Sequence, residues 1–133
     1  MKLAEFEIQT ALYTRLNENI DCPVYDDTPQ DVQYPHVTIG EFITVPDTVK
    51  CNAFVIAGSV HGWDKGGSRK SIIEIMSKAI ELITVSTDVT PNFLTLTNFT
   101  VHNQILVSNN TIKDIDGETW HSIATIEFQV KQN

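Results

Sequence analysis

The feature that most constrains this chain is its last stretch. From Thr119 to Lys131, Trp120, Ala124, Ile126, Phe128 and Val130 fall on one side, and His121, Thr125, Glu127 and Gln129 on the other; Ile123 is the apolar exception. A period of two places successive side chains on opposite faces of a pleated strand, so the pattern predicts a half-buried strand. Asn98 to Ser108 alternates too, with Phe99, Val101, Ile105 and Val107 on one face. Between the two runs lies Asp116-Gly117, a strong turn signal, which joins them into a hairpin. The end of the chain is thereby committed to antiparallel sheet.

Two helices are predicted beside it. Leu3, Phe6, Ile8, Ala11, Leu12 and Leu16 form a broad apolar stripe between Leu3 and Asn19, with Glu5 and Glu7 where the helix dipole favours negative charge. Ile72, Ile75, Met76, Ala79, Ile80 and Ile83 recur at helical spacing behind Ser68, a candidate N-cap. Pro23, Pro29 and Pro35 make residues 22–35 a turn-rich stretch with one short edge strand. Val37 to Ile43 and Ala53 to Trp63 read as further strands. Phe54, Ile56 and Val60 on one face, and Val55, Ala57 and Trp63 on the other, predict a central strand covered on both sides. Gly58 and Gly62 mark a bulge or a close backbone approach. A short additional strand is possible at Phe93 to Leu96. The order α-β-β-β-α-β-β predicts one α+β domain over residues 1–133, a mostly antiparallel sheet with two helices packed on one face.

At 133 residues the chain can sustain a single core without staples. Its formal net charge is −8, with only nine scattered Lys and Arg, which argues against a reader of phosphate backbones. No apolar run approaches a membrane span, and Met1 to Glu7 lacks the pattern of a secretory signal, so the expected location is the cytoplasm. Cys22 and Cys51 form no Cys-x-x-Cys pair and read as free thiols.

The residues that could carry chemistry form no recognisable constellation. His36, His61, His102 and His121 lack metal-ligand spacing. Ser59, Ser68 and Ser71 stand outside any nucleophile elbow. Gly66-Gly67-Ser68 opens a helix but lacks phosphate-loop spacing and reads as a joint. Asp114-Ile115-Asp116-Gly117 imitates part of a calcium loop without its remaining ligands, and Asp26-Asp27 reads as a solvated turn. The sequence therefore nominates no catalytic, cofactor-binding or metal residue.

Four segments carry a resemblance. They are Ala11-Leu12-Tyr13-Thr14-Arg15-Leu16; Val24-Tyr25-Asp26-Asp27-Thr28-Pro29-Gln30 running on to Tyr34-Pro35-His36-Val37-Thr38-Ile39-Gly40-Glu41; Trp63 with the Gly-containing joint and Ile-rich helix after it; and Asp116-Gly117-Glu118-Thr119-Trp120-His121. This succession resembles the bacteriophage tail-completion family over nearly the whole chain. One departure is Asp64, where members commonly carry a small polar residue, at a joint expected to be exposed.

The resemblance implies a structural virion protein and no catalysis. It implies a homo-oligomeric ring, usually a hexamer, that caps the tail tube, stops its growth and joins it to the head connector. Such a protein would assemble in the host cytoplasm and end at the head-proximal end of the tail, with genomic DNA passing through the ring without sequence-specific binding. Part of the acidity could then line the channel and repel DNA phosphates. The loops Phe42 to Lys50 and Asn109 to Glu118 are expected to reach a neighbour, giving Val45, Asp47, Lys50, Lys113, Asp114 and Asp116 as interface candidates. The rival readings are another neck or minor tail protein, or a small cytoplasmic enzyme or ligand-binding domain using His61, His102 or His121.

Overall fold

In the computed structural model, which describes residues 3–47, 51–85 and 92–133, the elements are α1 (Glu5–Asn19), β1 (Val24–Tyr25), β2 (His36–Pro46), β3 (Ala53–Lys65), α2 (Arg69–Ile83), β4 (Phe99–Lys113) and β5 (Thr119–Gln132). They form one sheet in the order β1-β2-β3-β5-β4, antiparallel throughout except for the short β1, which runs parallel to β2. This is the predicted α+β class and element order. The extra strand near Phe93 reduces to a single bridge between Thr95 and Thr100.

Both helices lie on one face of the sheet. α1 buries Ala4 just ahead of it and then Ile8, Leu12 and Leu16, a ridge at spacing four, whereas Leu3 and Phe6 stay exposed, Phe6 at 77%. At 100° per residue Phe6 lies about 200° from Ile8, so it cannot join that ridge. The predicted stripe was too broad by those two residues. α2 starts where Ser68 Oγ accepts the Ser71 N–H at 3.2 Å and buries Ile72, Met76, Ala79 and Ile83. Between them lie Ile56, Val60, Phe128, Ile126, Phe99 and Val101 of the sheet.

Gly62 lets α2 settle onto the strand. A Cβ there would come within 2.6 Å of Met76 Sδ and 2.9 Å of Ile72 Cδ1. Asp64, expected at an exposed joint, is instead buried, and its carboxylate fills the space a Cβ on Gly67 would need. The start of α2 is thus occupied by the chain's own carboxylate, consistent with a joint rather than a phosphate cradle.

The alternation in β4 does not run through. Register shifts between Val101 and Asn103 and between Leu106 and Ser108 break it. Phe99 and Val101 face the core, but each extra residue turns the following side chains over, so Ile105 lands on the other face. The core position falls to Gln104, which is fully buried. A similar irregularity in β2, between Ile39 and Phe42, returns the Phe42 ring to the core side over Gly58.

The two predicted loops are mostly strand. β2 extends through Val45 to Pro46, and β4 through Lys113, which leaves residues 114–118 as the turn. There Gly117 adopts φ +71°, and Asp116 Oδ1 accepts the N–H groups of Glu118 and Thr119 at 2.9 Å.

Candidate interaction surface on the open face of the sheet

β3 was expected to be covered on both sides, but the described helices cover only one. The registers place Ile43 beside Ala57, Ala57 beside Glu127 and Glu127 beside Ile105 on the opposite, open face. Val45, Val55 and Gln129 lie in line one step along, and His36, Trp63, His121 and Ile112 in line at the other end. Ile43, Val45, Ile105 and Ile112 are all 40% or more exposed there. Ile43 and Val45 thus lie at one edge of this face and Ile105 and Ile112 at the other, with Glu127 and Gln129 between them.

A cluster of rings occupies the His36 end. The His121 imidazole stacks on the Trp63 indole with centroids 3.6 Å apart and 10° between planes. His61 lies 5.0 Å from His121 between centroids, and its Nδ1 is 2.8 Å from His121 Nε2. His36 stacks on Trp63 at 6.3 Å and is itself covered by Tyr25 and Tyr34. Trp63 Nε1–H donates to Thr38 Oγ1 at 3.2 Å. Gly40 makes room for this arrangement, since a Cβ there would meet Ser59 Oγ at 2.2 Å and His61 Nε2 at 2.6 Å.

The chemistry of this cluster is proton sharing. One imidazole must donate and the other accept across the 2.8 Å contact, so the pair accommodates one added proton but not two without separating. His61 Nε2 contacts Ser59 Oγ at 3.2 Å, and that hydroxyl also accepts the Glu41 N–H at 3.0 Å. Burial pushes the pKa of all three histidines down. For His121 the His61 charge lowers it further and Asp114 opposes; for His61 Glu41 opposes. The lowered pKa values favour uncharged imidazoles at this end of the open face, with the carboxylates of Glu41 and Asp114 near enough to act on them.

The rival reading had named His61, His102 and His121; the fold joins the first and last and adds His36, while His102 lies apart beside Phe54 and Lys131. Strand order and register bring them together, and spacing along the chain carries no trace of that. No group of three or more His, Cys, Asp or Glu side chains among the described residues could hold a metal ion.

The six interface candidates separate. Val45 lies on the open face. Asp47 follows β2, its N–H bonded to Ala53 O at 2.8 Å. Lys50 lies outside the described residues. Lys113 sits 5.3 Å from the centroid of Trp120, whose ring also receives the Arg69 guanidinium at 4.8 Å. Asp114 accepts the Gly117 N–H through its backbone oxygen. Asp116 caps its own turn, and its hydrogen bonds to Thr119 and Glu118 hold its pKa at about 2.

Two grooves lie away from this face. One, of about 510 Å³, runs between α1 and residues 94–97. Its polar groups are engaged structurally: Glu7 Oε1 accepts the N–H groups of Thr97 and Asn98, and the Arg15 guanidinium donates to backbone oxygens of Leu82, Asn92 and Phe93. Burial lowers the Arg15 pKa. The other, of about 400 Å³, lies around Cys22, Tyr34, Pro35 and Ile75, and burial pushes the Cys22 thiol up, away from the reactive thiolate. Among the described residues no helix is long and apolar enough to cross a membrane.

Comparison with known proteins gives a fold likeness. No protein-family model and no curated protein sequence matches the chain. Among solved structures it is similar to a chain in the virion of a native gene transfer agent particle, with a TM-score of 0.81 and 12% sequence identity. The likeness covers 98% of this chain and 99% of the other, so the whole domain, and not one motif within it, shares that fold.

Proposed function

We propose that this chain is a structural protein of a phage-like virion, and within it a tail terminator. Six copies form a ring that caps the tail tube, stops its growth and presents a docking surface to the head connector, with the genome passing through unread. The observation that carries this reading is the end-to-end fold likeness to a chain of a gene transfer agent virion. The resemblance of the Val24 to Gln30, Tyr34 to Glu41 and Trp63 segments to tail-completion proteins supports the finer role. So do the apolar side chains exposed on the two edge strands of the open face, Ile43, Val45, Ile105 and Ile112, which suit a chain whose partners are other proteins. The role requires no catalysis.

The test is light scattering on the purified chain across concentration, with and without assembled tail tubes, followed by electron microscopy of tube ends. A hexamer, or a monomer that joins tube ends and halts their growth, is expected. A protein that ignores tube ends but binds connector or another tail component would shift the assignment to a neck or minor tail role. One that ignores them all would overturn the virion reading.

A further inference from the structure

The sheet has two unlike edges. On one side, β1 pairs only with Val37 and Thr38, and among the described strands none pairs with the outer edge of β2 beyond them. On the other, the outer edge of β4 is engaged near its start, by the Thr95 to Thr100 bridge and by the Val85 N–H on Gln104 O, and is unpaired by any described strand over residues 105–113. Proteins usually blunt such edges with charge, proline or bulges. β4 contains no proline and one charged residue, Lys113, and past its irregularity at Leu106 to Ser108 it runs regularly.

We propose that these two edges join copies of this chain head to tail: β4 of one copy, through residues 108–113, pairs antiparallel with residues 42–45 of β2 in the next, short of Pro46, which has no N–H to donate. The inference rests on the ring reading and specifies its interface.

Three features single out a second copy as the occupant. The first is strand polarity. β2, β3, β5 and β4 alternate in direction, so β4 and β2 run oppositely, and a β4-to-β2 junction continues an unbroken antiparallel sheet. The second is side-chain facing. Ile43 and Val45 on one edge and Ile112 on the other share the open face, so the junction brings them together as cross-strand neighbours. The third is charge. β2 and the residue after it hold two acids, Glu41 and Asp47, and no Lys or Arg; β4 holds no acid and one Lys. Pairing β2 with β2 sets acid against acid, whereas pairing β4 with β2 does not.

The registers add a geometric condition. Ile112 is level with His36 through His121 and Trp63, where β1 already covers β2. A neighbour must therefore slide along the strands to reach residues 42–45. Unlike edges that meet head to tail generate a ring where the rotation from copy to copy closes.

The experiment uses two full-length variants with one edge blocked in each: Ile43→Lys with Val45→Lys, and Asn110→Lys with Ile112→Lys. All four side chains are exposed, and near-UV circular dichroism checks folding; the single substitutions Val45→Lys and Ile112→Lys serve where a double variant fails to fold. Sedimentation is measured on each alone and on an equimolar mixture at millimolar concentration. Each alone is expected to be monomeric. The mixture is expected to give a 1:1 dimer and nothing larger, because one open β4 edge meets one open β2 edge and both remaining edges are blocked.

A homodimer from either variant, or a mixture that stays monomeric, overturns the pairing. The terminator reading is separable from it. A wild-type chain that caps tubes while the mixture stays monomeric sinks the edge pairing alone. A mixture that dimerises while the wild type ignores tubes sinks the terminator role alone.

Discussion

Gln104 ties three parts of the fold together and should be one of the costliest side chains to change. It is fully buried. Its Nε2 donates to Ile83 O, near the end of α2, at 3.0 Å, and its Oε1 accepts the Leu94 N–H at 2.5 Å. Gln104→Met keeps nearly the same volume and deletes both bonds. Each buried backbone group left without a partner costs about 1–3 kcal/mol, or about 2–6 kcal/mol for the two. Burying a more apolar side chain returns about 1 kcal/mol. The expected net loss is about 1–5 kcal/mol, which for a domain of this size lowers Tm by about 4–18 °C. Urea unfolding followed by Trp63 and Trp120 fluorescence reads it directly.

Gln104→Glu provides a control with a pH signature. It keeps an acceptor for Leu94 but faces Ile83 O with a carboxylate. Burial raises the folded-state pKa of such a group above its unfolded value of about 4.3, so the penalty is absent below that pH and grows as pH rises above it. A Gln104→Met protein as stable as wild type would refute the reasoning, since Ile83 O and Leu94 N–H would then have found other partners.

The remaining predictions concern the open face, the helix contact and the hairpin. His36, His61 and His121 have folded pKa values below their unfolded ones, so the unfolded chain binds more protons as pH falls through about 6.5; stability is full above that and lost below it, and Trp fluorescence melts at pH 7.5, 6.5 and 5.5 should show this, with a shallower slope in His121→Gln. Gly62→Ala should cost about 1–3 kcal/mol by crowding Met76 and Ile72, and combining it with Met76→Ala should cost less than the two losses summed, as a double-mutant cycle in urea would reveal. Asp116→Ala should lower thermal stability at neutral pH by removing the bonds to Glu118 and Thr119; in wild type that contribution is lost only as pH falls toward about 2, and an acid titration of Tm in the two proteins tests it.

How much of this was legible in the sequence depends on whether a feature is local. The β5 alternation, the Asp116-Gly117 turn, the Ser68 cap and the α2 spacing are decided by neighbours within a few residues, and the fold reproduces each. The two irregularities in β4 are decided by what the strand must pair with and cover, so the pattern from Phe99 to Val107 gave no sign that Ile105 would turn outward while a glutamine took the core position. Asp64 shows the same limit: a charged residue beside two glycines reads as exposed, yet the missing Cβ of Gly67 is what makes room to bury it.

The open face connects these points to function. Apolar residues on both sides of β3 predicted a strand covered twice, but the chain's own described helices meet only one of its faces. The hydrophobic pattern of a subunit records contacts made in the assembly as well as in the monomer. Under the proposed ring, a strand that reads as covered twice and is covered once marks the face that a neighbour would meet. Here that surface ends in two unlike edges, with Ile43 and Val45 at one and Ile112 at the other. Unlike edges favour a head-to-tail arrangement over a two-fold dimer, because a two-fold contact would join one edge to itself and leave the other uncovered. The same feature that made the sequence seem to overstate its core is thus the one that argues for a ring.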